Sequence, residues 1–168
     1  MELTIANGSE ADLDAAGRQE WLSRSAAAYG TVYRGLIAMG ATADDAADAL
    51  QDAFEDALRQ RAPVAHPEGW LFVVANRKWR RARWRRRIFH PLELVHGSIR
   101  SDRDQEIDLL SELARLTQRQ RTVIVARYVL GFSQREIAKL LGIAPGTVAA
   151  TVHQTTALLR ERLIGGTK

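Results

Sequence analysis

The chain has 168 residues, 46% of them hydrophobic and 26% charged, with a net charge of +4 and no cysteine. That length holds one ordinary domain or two small ones, and no run approaches the ~18 apolar residues that a membrane span requires. The missing cysteines exclude disulfides and thiolate metal sites and fit a reducing cytosol, and the first residues lack the basic start and apolar core of a signal peptide. The positive charge is clumped, with eight of the eleven residues from Arg77 to Arg87 basic, whereas acidic residues gather at Asp44 to Asp56 and Asp102 to Asp108. Such asymmetry points to a polyanion at one face and a different partner at another.

Residues 1 to about 18 are polar and aperiodic, which fits a tail or a loosely docked first helix. Trp21 to Met39 is helical in pattern, with Leu22, Ala26, Tyr29, Tyr33, Leu36 and Ile37 on one face. Gly30 and Gly35 weaken that helix relative to alanine and suit close helix packing. Gly40 ends it. Thr42 starts another, placing Asp44 and Asp45 in the first turn, where the helix dipole favours negative charge. In that helix Ala46, Leu50, Ala53, Phe54 and Ala57 form the apolar side, and Asp48, Asp52, Glu55 and Asp56 the opposite one. Pro67 suits the first turn of a third helix, which runs into the basic stretch.

From Ile88 to Ile107 the periodicity fails, and His90-Pro91, Gly97-Ser98 and Ser101 to Asp104 read as a linker. Beyond it, Leu109, Leu110, Leu113 and Leu116 begin a second bundle, and Thr117 caps a helix that Gly131 closes. Ser133 and Glu136 have the spacing of a capping box, with Phe132 and Ile137 placed as its hydrophobic staple. Gly142 sits where a left-handed residue ends a short helix, and Pro145 opens the next. A short helix, a glycine turn and a longer helix make a helix-turn-helix, whose second helix enters the DNA major groove.

Catalysis finds no support, because neither a Ser-His-Asp signature nor a phosphate-cradling glycine loop is present. His66, His90, His96 and His153 lack metal-ligand spacing, so no metal or cofactor is expected. By itself the run Arg77 to Arg87 reads as a solvated face or an unspecific nucleic-acid patch. The interleaved Trp79 and Trp84 raise a sharper reading, since aromatic faces stack on unpaired bases.

Taken in order, these segments resemble a bacterial extracytoplasmic-function (ECF) sigma factor of the sigma-70 family, from about Trp21 to Leu163. Asp45-Ala-Ala-Asp48-Ala-Leu-Gln51-Asp52-Ala-Phe54 is similar to the segment that docks on the β′ coiled coil of RNA polymerase. Pro67-Glu-Gly-Trp70-Leu-Phe-Val-Val-Ala-Asn76, followed by arginines, resembles the segment that reads and opens the promoter element nearest the start site. The second bundle resembles the domain that reads the other element and touches the β flap.

The resemblance implies an all-α fold of two small helical domains on a flexible linker. The expected bounds are a tail over 1–20, domains over 21–88 and 108–165, and a linker over 89–107 that threads toward the polymerase active centre. It implies core contacts at Asp45, Asp48, Gln51, Asp52 and Phe54. Promoter contacts fall at Trp70, Asn76, Arg77, Lys78, Trp79, Arg80, Arg81, Arg83 and Trp84. In the helix-turn-helix they fall at Arg127, Gln134, Arg135, Pro145, Thr147, Ala149, Ala150, Thr151, His153 and Gln154. The implied partners are core RNA polymerase and promoter DNA, double-stranded and locally melted, with an anti-sigma protein as a further candidate and no membrane. The place of action is the cytoplasm, and the role is a specificity subunit rather than an enzyme. Two alternatives stand beside it: a LuxR-type DNA-binding regulator, and a polymerase-binding protein with reduced promoter readout.

Two departures from the family pattern matter. Arg80 stands where the family places an aspartate four residues after the asparagine. In the recognition helix, Ala149, Thr151 and Gln154 replace the family's lysine and two arginines. Arginine and lysine supply phosphate neutralisation and guanine readout, whereas alanine, threonine and glutamine suit thymine methyls and adenine edges. The second domain is therefore expected to bind its element weakly or to read an A/T-containing one.

Overall fold

The computed structural model describes residues 15–59, 66–89 and 104–165. Among these are eight α-helices and no strand: α1 Ala15–Ala27, α2 Tyr29–Ala38, α3 Ala43–Arg59, α4 Pro67–Phe89, α5 Asp104–Ala114, α6 Gln118–Tyr128, α7 Gln134–Leu141 and α8 Pro145–Gly165. The fold is all-α, as the periodicity requires. The expected single helix over Trp21 to Met39 is instead two, α1 and α2, broken by a turn at Ala28. The expected linker over 89–107 lies outside the described residues from 90 to 103. Its acidic end, from Asp104 onward, is the start of α5 rather than extended chain.

Helices α1 to α4 enclose one core, in which Val32, Leu36, Leu50, Leu71 and Phe72 are fully buried. Gly35 earns its place there, because a Cβ would stand 3.3 Å from the Phe72 ring. Gly30 meets no such neighbour, so only one of the two glycines serves packing. Trp21 and Trp70 meet edge to face with centroids 5.6 Å apart, which joins α1 to α4. Gly40 turns the chain at φ 97°, and the Thr42 hydroxyl accepts the Asp45 backbone N–H to start α3.

In the second half, Val123, Ile137, Val148 and Val152 unite α6, α7 and α8, and Leu113, Leu116, Ile124 and Leu159 bring in α5. The local signals act as expected. Thr117 with Gln120 and Ser133 with Glu136 each form complete capping boxes. Gly131 and Gly142 take left-handed backbone at φ 75° and 62°. Phe132 and Ile137 are both buried in the same cluster, as a staple demands.

The two halves also pack on each other. Val125 of α6 belongs to the first half's core, with Leu130 and Leu140 packed against it. Gly69 lies under the second half, where a Cβ would come within 3.3 Å of both Leu140 and Phe132. Arg121 donates to the carbonyls of Met39 (2.9 Å), Leu116 (3.3 Å) and Ala114, tying the end of α2 to the start of the second bundle. Burial, and then the positive charge of Arg83, pull Arg121 below the ordinary arginine range. Its guanidinium is a structural tie rather than a base left over for DNA.

Candidate functional site: a basic helix, an acidic helix and a neutral reading helix

The basic stretch forms the second half of α4, and the helix sorts its residues by direction. Arg77, Arg80, Arg81, Arg83, Trp84, Arg85 and Arg86 are exposed, and Lys78 is half-buried. The same helix turns Trp70, Asn76 and Trp79 inward, at 7%, 3% and 3% exposure. In the free chain these three are packed core, and only their neighbours reach solvent. The Asn76 Oδ1 and Trp79 Nε1 atoms are buried without a hydrogen-bond partner among the described residues. Trp79 is covered by Arg83, whose guanidinium carbon sits 5.7 Å from the ring centroid. Trp84 has the opposite fate. At 63% exposure it presents a ring to solvent amid arginines, the setting in which an unpaired base can stack.

The acidic side of α3 lies beside that basic helix. Asp48, Gln51 and Asp52 are exposed, Asp45 is half-buried, and Phe54 is half-buried with its ring stacked on Tyr29 at 6.0 Å. Arg86 donates to Asp45 Oδ1 at 2.6 Å, and Lys78 Nζ stands 2.9 Å from Asp56 Oδ2. Between these pairs runs an open groove of about 420 Å³, walled by Asp45, Asp48 and Asp52 on one side and Lys78, Arg85 and Arg86 on the other. Sequence reasoning placed each charge on its helix but missed that the two helices pair with each other.

In the helix-turn-helix, α8 opens at Pro145 and exposes Pro145, Gly146, Thr147, Ala150, His153 and Gln154, while Ala149 and Thr151 are half-buried. No arginine or lysine stands on this face from Pro145 to Gln154. The Thr151 hydroxyl donates to the Thr147 carbonyl at 2.8 Å, which leaves its methyl and lone pairs for any base. Arg127 donates to the Phe132 carbonyl at 3.0 Å and so braces the turn into α7. Gln134, Arg135 and Lys139 are exposed, and Arg135 and Lys139 line a shallow depression with Pro145 at the start of α8. The positive N-terminal end of α8 and those two cations suit a phosphate oxygen, leaving the neutral face toward bases.

Hydrogen bonds from the Ser133 hydroxyl and then its backbone N–H hold Glu136 below the usual carboxylate range, with smaller help from His66 and Lys139. His66 Nδ1 lies 4.0 Å from Glu136 Oε1, so the α7 cap also faces the residue preceding α4. Among the described residues no cluster of His, Cys, Asp and Glu could hold a metal, and no helix is long and apolar enough to cross a membrane.

Several known proteins resemble this chain. Residues 106–159 match the family described as "Sigma-70, region 4". The RNA polymerase sigma-E factor of Streptomyces avermitilis is 37% identical over 97 residues, which is 55% of this chain and 53% of that protein. The ECF RNA polymerase sigma factor SigM of Mycobacterium tuberculosis is 34% identical over 135 residues, 74% of this chain and 66% of that one. The chain thus spans about half the length of the sigma-E relatives it matches. In fold, it resembles the sigma factor RpoE of Bartonella quintana, solved with the anti-sigma factor NepR. The TM-score is 0.61 at 23% identity, covering 89% of this chain and 97% of that one.

The region 4 match and the SigM likeness place the chain in the sigma-70 class of transcription proteins. Within that class the chain belongs to the extracytoplasmic-function sigma factors. That membership decides against the LuxR-type alternative.

Proposed function

We propose that this chain is an alternative sigma factor that joins core RNA polymerase in the cytoplasm and directs it to a subset of promoters. It works as a specificity subunit, and bond-making stays with the polymerase. The observation that carries the reading is the exposed row of arginines on α4 with Trp84 among them, one helix away from the acidic side of α3. The α3 face, through Asp48, Gln51, Asp52 and the half-buried Asp45 and Phe54, docks on the polymerase β′ coiled coil. Arg77, Arg80, Arg81 and Arg83 take backbone phosphates near the start site. Trp84 receives an unpaired base, offsetting part of the few kcal/mol that extrusion costs.

The second half sets register. It contacts phosphates through Arg135 and Lys139 and reads bases through Thr147, Ala150, His153 and Gln154, while touching the β flap. The two halves serve as separate reading units over 21–88 and 108–165, and an anti-sigma protein is a fitting further partner.

Run-off transcription with purified core enzyme tests this reading: initiation from a promoter pool is expected only when the chain is added. Failure both to co-purify with core and to support initiation would sink it. The neutral face of α8 favours one second reading, a polymerase-binding protein with reduced promoter readout. Core binding without initiation on any promoter would establish that one instead.

A further inference from the structure

The geometry points to residues 1–14 as an internal competitor for DNA: in the free chain this acidic segment covers the stripe of α4 that continues past the start of α1. The DNA half of the inference rests on the reading of α4 given above.

Helix α1 lies antiparallel on α4. Arg24 pairs with Glu68 at 3.3 Å, and Trp21, a turn earlier in α1, meets Trp70 further along α4. On the same line Ala15 stands about 9 Å beyond Trp21, level with Asn76, at 1.5 Å per helical residue. The side of α4 that carries Trp70 continues as Arg77, Arg81 and Trp84, which fall within roughly 60° of one another around the helix. Trp70 is buried, whereas Arg77, Arg81 and Trp84 are exposed. Helix α1 therefore covers this side of α4 only as far as its own first residue. The ion pairs with α3 do not reach the stripe, because Lys78 and Arg86 lie on another side of the helix. Arg77 and Arg81 have no ion-pair partner among the described residues.

What precedes Ala15 in the chain is complementary in charge. Residues 1–14 hold Glu2, Glu10, Asp12 and Asp14 and neither lysine nor arginine. From the level of Asn76 to Trp84 is roughly 12 Å, which about four extended residues span. Asp14, Asp12 and Glu10 thus reach the stripe without any movement of α1. Exposed ion pairs are individually weak, but a segment of the same chain meets its site at an effective concentration set by the join, not by the solution. A phosphate that approaches Arg77 or Arg81 must displace a carboxylate first. Nonspecific duplex is thereby disfavoured, and DNA that makes further contacts wins the stripe.

The test uses the full chain. It has no cysteine, so Ser9→Cys gives one attachment point for a nitroxide spin label. At low salt the label is expected to broaden the amide signals of Arg77 and Arg81 and the Trp84 indole. High salt, or saturating duplex DNA of arbitrary sequence, is expected to restore them. No broadening at α4 overturns the assignment. Broadening of an isotope-labelled chain by a label carried on another chain would give the stripe to a second copy and overturn it too. Broadening that persists under saturating DNA overturns the competition.

A binding arm measures the consequence. Asp12→Asn with Asp14→Asn is expected to raise affinity for the same duplex about three- to tenfold at low salt, and to steepen its salt dependence by up to about two ions. Glu55→Gln with Glu161→Gln, an equal charge change at exposed residues away from the stripe, is expected to do less. Equal effects of the two pairs overturn the competition. If neither the native chain nor the variants bind duplex DNA, the phosphate reading of α4 and the competition fall together, and the spin label alone decides whether the segment covers the stripe.

Discussion

The two longest helices among the described residues, α4 with 23 residues and α8 with 21, are nearly equal in length and opposite in the chemistry of their exposed faces. The outer face of α4 is arginine with one exposed tryptophan, whereas the leading face of α8 is threonine, alanine, histidine and glutamine. Phosphate contacts supply affinity without sequence information, and base contacts supply information with little affinity. On the proposed function the first half grips and the second half places. On that reading an intact helix-turn-helix scaffold does not by itself make a strong DNA binder, because the charge on its reading face sets the grip.

Removing the grip should have the largest effect. Replacing Arg77, Arg80, Arg81 and Arg83 by glutamine is expected to lower duplex DNA affinity by roughly two to three orders of magnitude near physiological salt. Fluorescence anisotropy would measure it, and a loss under fivefold would return the arginines to solvated surface. The reverse experiment adds grip to α8. Ala149→Lys with Gln154→Arg should raise affinity about tenfold at low salt, with one or two more ions released. No gain would mean that this face does not approach DNA.

A smaller effect isolates the scaffold. Ser133→Ala removes one half of the α7 cap and is expected to destabilise the second half by about 1 kcal/mol, read by thermal unfolding. The same cap predicts a pH dependence of known sign. Glu136 has a depressed folded value, so its contribution is present above the ordinary glutamate range and lost as pH falls through the lowered value. Ser133→Ala should therefore flatten the acid limb of the stability curve, and an unaltered limb would remove the cap from that account. The smallest expected effect is Asn76→Leu. A side chain buried with an unpaired acceptor should leave DNA binding unchanged and stability unchanged or slightly raised. A fall in DNA affinity would restore Asn76 as a reader.

Much of the second half was legible because its signals are local. Ser133 with Glu136, Thr117 with Gln120, Gly131, Gly142 and Pro145 each act within a few residues of chain. The division of α4 was legible only in part. Trp79 and Trp84 are five residues apart, about 140° around a helix, so one ring in and one out follows from the 3.6-residue period. Which of them turns inward depends on α3 and on Trp21 and Trp70, contacts far away in sequence. The break at Ala28 carries neither glycine nor proline to announce it. The Arg121 tie to Met39 spans 82 residues, and the ion pairs between α3 and α4 span 41 and 22. No periodicity argument reaches that far. Gly69 lies where a Cβ would come within 3.3 Å of Leu140 and Phe132, neighbours about seventy and sixty residues away that its own segment does not announce.

The division of labour between α4 and α8 is tested most directly by the salt dependence of promoter binding in the assembled holoenzyme. Three forms would be compared: the native chain, the four-arginine variant of α4, and α8 carrying Thr147→Ala, His153→Ala and Gln154→Ala. The account predicts a slope lowered by about three to four ions in the α4 variant. In the α8 variant it predicts a native slope with lost preference among promoter sequences. A slope that falls in the α8 variant and stands unchanged in the α4 variant would contradict it.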